Sequence, residues 1–95
     1  DAVRSVQDRV KRKFGVTQEQ IDTGIDTGSI TELDLQVLDS YGDDIFKYMQ
    51  QEGLDKDSDR MDIMQALTGW GDKNNKVLPY NLGFLTIQFQ KAFNK

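Results

Sequence analysis

In segment after segment of this chain the apolar residues return every three or four positions, the spacing that lines them along one face of an α-helix. Val3, Val6, Val10 and Phe14 make one such stripe. Ile30, Leu33, Val37 and Tyr41 make another, with Leu38 beside it. Ile45, Phe46 and Met49 make a third, and Ile63, Met64, Leu67 and Trp70 a fourth. A stripe can leave water only by packing on other stripes, so the pattern calls for helices gathered round a shared core. The chain has 95 residues and a single proline, which leaves room for one modest core and not two. With 37% apolar and 29% charged residues, burial can offset the entropy of ordering the chain. The expected architecture is all-α: one compact domain over residues 1–95, built of five or six short helices. The first residue is Asp1 rather than Met, which leaves open that the domain is processed or cut from a longer chain.

Caps and glycines set the expected boundaries. A first helix over residues 2–14 stops at Gly15. Thr17 and Gln20 have the form of a capping box for a short helix ending by Gly24. A tandem repeat, Ile21-Asp22-Thr23-Gly24 then Ile25-Asp26-Thr27-Gly28, reads as a turn-rich connection. Ser29 with Glu32 suggests a second capping box, for a helix to about Tyr41. Gly42 interrupts the pattern, and Asp43 or Asp44 starts another helix through Gln51. Residues 54–59 read as a polar loop. Asp57 or Ser58 caps the next helix, which Gly69 and Gly71 close. Residues 82–94 admit two readings. As a helix, Leu82, Leu85, Phe89, Ala92 and Phe93 form a stripe, with Phe84 and Ile87 on the other side. As a strand, Leu85, Ile87 and Phe89 alternate with polar residues. The helix is preferred because no partner strand stands out elsewhere.

The chain has no cysteine and no histidine. That removes thiolate chemistry, the commonest general base, the usual zinc sites and the Ser-His-Asp type of triad. Neither a metal nor a cofactor is expected. No apolar run approaches the length of a membrane span, so no membrane partner is expected. Net charge is −4, unevenly spread. Residues 1–16 carry five bases against two acids, a net of +3. Residues 17–62 carry thirteen acids against three bases, a net of −10. Residues 63–95 carry four bases against one acid, a net of +3. Two readings follow: the basic ends fold back on the acidic middle, or the middle faces a basic partner. Bare nucleic acid is a poor partner for such a face, because phosphate is repelled.

Two short motifs look like chemistry. Asp26-Thr27-Gly28-Ser29 resembles the active-site tetrapeptide of aspartic proteases, which implies paired aspartates sharing a proton. Those enzymes are almost entirely β, whereas helical periodicity follows Ser29. Asp55, Asp57 and Asp59 have the spacing that opens an EF-hand calcium loop. The later positions depart from that loop: Arg60 replaces the glycine, Asp62 the apolar residue and Ala66 the bidentate glutamate.

The best remaining expectation is a non-enzymatic protein-interaction domain with an acidic central face. A small phage or pathogen inhibitor of a host factor would fit, as would an assembly module. The partner is expected to be another protein with a basic or apolar surface, and a second copy of the chain is also open. The candidate contact residues are Asp34, Asp39, Asp43 and Asp44 in the acidic middle, Trp70 between two glycines, and Phe84 and Ile87 opposite the last helix's core stripe. A weak calcium-binding module and an aspartic-protease-like enzyme are the alternatives.

Overall fold

The helical periodicity carries through to the three-dimensional structure, a computed structural model that describes the backbone of residues 2–95 and the side chains from Arg4 onward. Its helices are α1 (Ala2–Phe14), α2 (Gln18–Thr27), α3 (Glu32–Gln51), α4 (Arg60–Asn74) and α5 (Gly83–Phe93). There is no strand among the described residues. The C-terminal segment is therefore helix, which satisfies its backbone internally where a strand would have needed a partner. Leu85 and Phe89 of α5 are fully buried, as the stripe requires. Val3, the first member of the α1 stripe, lies outside the described side chains.

The described residues form five helices rather than six because Gly42 does not break its helix. α3 runs through it for 20 residues. A Cβ at Gly42 would lie 2.7 Å from Cζ of Phe14. The glycine thus admits the α1 ring against the α3 backbone, and this packing outweighs the propensity cost of about 1 kcal/mol. Gly69 and Gly71 likewise lie inside α4. Gly71 is buried, with Leu78 of the following loop seated over it. α4 ends instead at Asn75, in the left-handed conformation with φ 54°, which asparagine tolerates.

Capping places the helix starts. Thr17 and Gln20 form the expected box: Gln20 N–H donates to Thr17 Oγ1 at 3.1 Å and Thr17 N–H to Gln20 Oε1 at 2.9 Å. α2 does not end by Gly24, however. It continues through the repeat to Thr27, and Gly28 caps it at φ 80°. The start of α3 also moves, from Ser29 to Thr31. Asp34 N–H donates to Thr31 Oγ1, and the Asp34 carboxylate accepts the Thr31 N–H at 2.8 Å. Asp59, not Asp57 or Ser58, caps α4 by accepting the Asp62 N–H at 2.9 Å.

α3 is the central element: α1, α4 and α5 all pack on it, and α4 packs on α5. Arg9 pairs with Asp39 and Lys13 with Asp43. These partners advance together by four residues, so α1 and α3 lie side by side and run in the same sense. The shared core draws on every helix, with Val10, Ile21, Leu38, Ile45, Leu67 and Phe89 all fully buried. Phe14 meets Phe89 edge to face at 5.9 Å, and Phe46 meets Phe93 at 4.5 Å.

One core position is polar. The Thr86 hydroxyl, on the buried face of α5, has no hydrogen-bond partner among the described residues. A buried hydroxyl without a partner is costly, and an apolar group of the same shape removes the cost. Thr86→Val is expected to leave stability unchanged or raise it by up to about 1 kcal/mol, measured by urea denaturation. A loss of that size would mean that the hydroxyl is hydrogen-bonded.

Candidate functional site

The acidic middle is not one exposed face. Asp34 is buried at 1% exposure, its carboxylate holding the start of α3. One Asp34 carboxylate oxygen accepts both the Thr31 N–H and the Thr31 hydroxyl, while the other, Oδ1, has no hydrogen-bond partner among the described residues. Asp39 is gripped by both forks of the Arg9 guanidinium, at 2.6 and 2.9 Å. Asp43 is exposed and meets Lys13 at 3.2 Å, and Asp44 is exposed beside it. The basic N-terminal helix therefore folds back on α3 and pairs with two of its acids, Asp39 and Asp43. Lys73 and Lys76, from the basic C-terminal third, sit over the rings of Tyr48 and Tyr41 instead. Trp70 is a core residue at 5% exposure, packed on Tyr41 with ring centroids 5.4 Å apart.

Asp39 and Asp34 are shifted in opposite directions. The Arg9 hydrogen bonds hold Asp39 below its ordinary value of 3.8. Desolvation pushes Asp34 above that value, against the Thr31 hydrogen bonds. For Asp39 the folded state binds its proton more weakly than the unfolded chain. The stabilisation is therefore complete above 3.8 and is lost as pH falls through the lower folded value. Asp34 has the reverse sign, disfavouring the folded state as it ionises. Asp39→Asn is expected to lower the urea midpoint at pH 7, with the difference from wild type closing at about pH 2. A gap that persists in acid would mean that packing, not charge, is what the substitution removes.

The two motifs take other places in the structure. Asp26 and Thr27 form the last turn of α2, exposed, and Gly28 is its left-handed cap. The tetrapeptide thus closes a helix. Thr27 Oγ1 donates to the Thr23 carbonyl at 2.9 Å. In the second motif, Asp55 accepts the Asp57 N–H at 2.8 Å and Asp59 is spent on the α4 cap. Among the described residues no group of three or more acidic, histidine or cysteine side chains is gathered round a common point.

Phe84 and Ile87 do come together, in a groove of about 680 Å³ between α2 and the beginning of α5. Both are half-buried. Gly24 and Ile30 are also in its wall, and Asn81 and Gly83 close the end at which α5 starts. Asn81 Oδ1 accepts the Gly83 N–H at 2.8 Å in place of a side-chain cap. Glu19 is the only charged residue in the lining. Asp22 and Asp26 follow it at i+3 and i+7, on the solvent side of α2. α2 carries these three acids and no base, and all three are exposed. None forms a salt bridge among the described residues.

The acidic flank of α2 escapes the sequence reading because residues 21–28 read there as turns. Taken as helix, the same residues place Glu19, Asp22 and Asp26 along one side, so the signal is present in their spacing. The groove is not in the sequence at all. It depends on where α5 lies against α2. No helix among the described residues is long and apolar enough to cross a membrane. Comparison of the chain with protein-family models, with curated proteins and with solved structures finds no match.

Proposed function

We propose that this chain is a non-enzymatic protein-interaction domain whose contact surface is acidic and centred on α2. The observation that carries the reading is the juxtaposition of two features: Phe84 and Ile87, half-buried in an open groove, and an adjoining helix whose Glu19, Asp22 and Asp26 are exposed and form no salt bridge among the described residues. Apolar anchors ringed by charge are the usual composition of a protein contact. Uncompensated surface acids also steer a basic partner and set its orientation. The acids of α3 contribute less, since Arg9 and Lys13 already answer Asp39 and Asp43. Asp44 is exposed and forms no salt bridge among the described residues.

The test is site-specific photocrosslinking in the cells that make the protein. A photoreactive residue at position 23 is expected to capture a discrete partner protein, and one at position 57, in the loop before α4, is not. Combined Glu19→Lys, Asp22→Lys and Asp26→Lys substitutions are expected to abolish capture at position 23. Equal adducts at both positions, or adducts indifferent to the charge reversal, would overturn the assignment of the surface.

A further inference from the structure

Resting on that interaction reading, we infer that the α2/α5 groove receives an amphipathic helix of a partner protein. Apolar residues of that helix would sit against Phe84 and Ile87, and its lysine or arginine residues beside Glu19, Asp22 and Asp26. Three observations select this occupant. The first is charge: the lining holds one charged residue, Glu19, and the charged side chains of α2 itself, Glu19, Asp22 and Asp26, are all acidic. The second is backbone chemistry. An extended peptide gains affinity by adding a strand to a sheet edge, and there is no strand among the described residues. Most of the groove wall comes from α2 and α5, and neither helix offers a strand edge for an extended chain to pair with along its length. A helix arrives with its backbone N–H and C=O groups satisfied and recognises the groove through side chains at i, i+3/i+4 and i+7. The third is symmetry. A dimer formed across the groove would place the same patch on both partners, setting the acids of α2 against themselves, which disfavours a second copy.

The experiment is selection from a displayed library of short helical peptides against the full chain, followed by amide NMR mapping. Selected peptides are expected to carry apolar residues at helical spacing flanked by lysine or arginine, and to shift the signals of Thr23, Phe84 and Ile87. Binding is expected to weaken with added salt. It should fall roughly fivefold with Glu19→Lys, an exposed position where folding is not at stake. Ile87→Asp, with its fold checked by circular dichroism, is expected to abolish binding. Acidic or neutral peptides that ignore Glu19→Lys would overturn the inference. So would peptides mapping to the exposed Val77 and Tyr80 loop, or a concentration-dependent dimer that Ile87→Asp dissolves. These results leave photocrosslinked capture at position 23 intact, so failure of the helical occupant is distinguishable from failure of the interaction reading.

Discussion

Phe89→Ala lowers the folding stability of this chain by about 3–5 kcal/mol, the cost expected when a fully buried aromatic ring is truncated and its space cannot close. Phe89 is completely inaccessible. Its ring meets Phe14 of α1 edge to face at 5.9 Å, with the planes 81° apart. Phe14 in turn lies against Gly42 in the middle of α3. One ring on α5 thus tops a stack that joins three helices, and the edge-to-face contact adds about 0.5–1.5 kcal/mol beyond burial. A single domain has about 5–15 kcal/mol in total, so the variant sits close to unfolding. Guanidinium denaturation followed by Trp70 fluorescence measures the loss, since Trp70 is itself buried in the same core. Phe84→Ala is the control. That ring is half-buried at the groove, and its truncation is expected to cost about 1–2 kcal/mol. Equal losses from the two substitutions would show that α5 is not oriented as described.

Gly24→Ala is expected to destabilise, and the sign is what makes it informative. Gly24 lies inside α2, where alanine is ordinarily favoured over glycine by about 1 kcal/mol. Here a Cβ would overlap the Ile30 side chain. Ile30 cannot easily retreat, because its N–H donates to the Gly24 carbonyl at 3.0 Å and its side chain is buried. Overpacking of this kind costs about 1–3 kcal/mol, so a net loss of about 1–2 kcal/mol is expected after the propensity gain. Ile30→Ala in the Gly24→Ala background should cost less than Ile30→Ala alone, a coupling that a double-mutant cycle reads directly. Stabilisation by Gly24→Ala would mean that the chain does not fold back over α2 at this point. The wall of the groove would then be misplaced as well, since Gly24 and Ile30 both line it.

The charge segregation shows how far a sequence reading reaches toward a site. Basic ends and an acidic middle are legible directly from composition. Which acids remain free is not. Asp34, Asp39, Asp43 and Asp44 look alike in the sequence, yet the first is buried, the second and third are paired with α1, and the fourth is exposed. That sorting depends on the parallel placement of α1 on α3, which brings together residues 30 positions apart. Phe84 and Ile87 are legible as surplus to their helix's core stripe. That they line one groove with Glu19 of α2 is a fact of helix packing alone.

By itself the sequence determined the class of structure and the identity of most core residues. Periodic apolar spacing is a local property, and each stripe states its buried face without reference to its neighbours. What the tertiary structure alone decided is the meaning of the glycines. Gly24 and Gly28 end two consecutive copies of the same tetrapeptide, Ile-Asp-Thr-Gly. Gly28 takes a left-handed conformation at φ 80° and caps α2. Gly24 stays helical and leaves space for Ile30, just as Gly42 leaves space for Phe14. A glycine permits both a turn and a close approach, for the same reason that it has no Cβ. Only the element packed against it chooses between them.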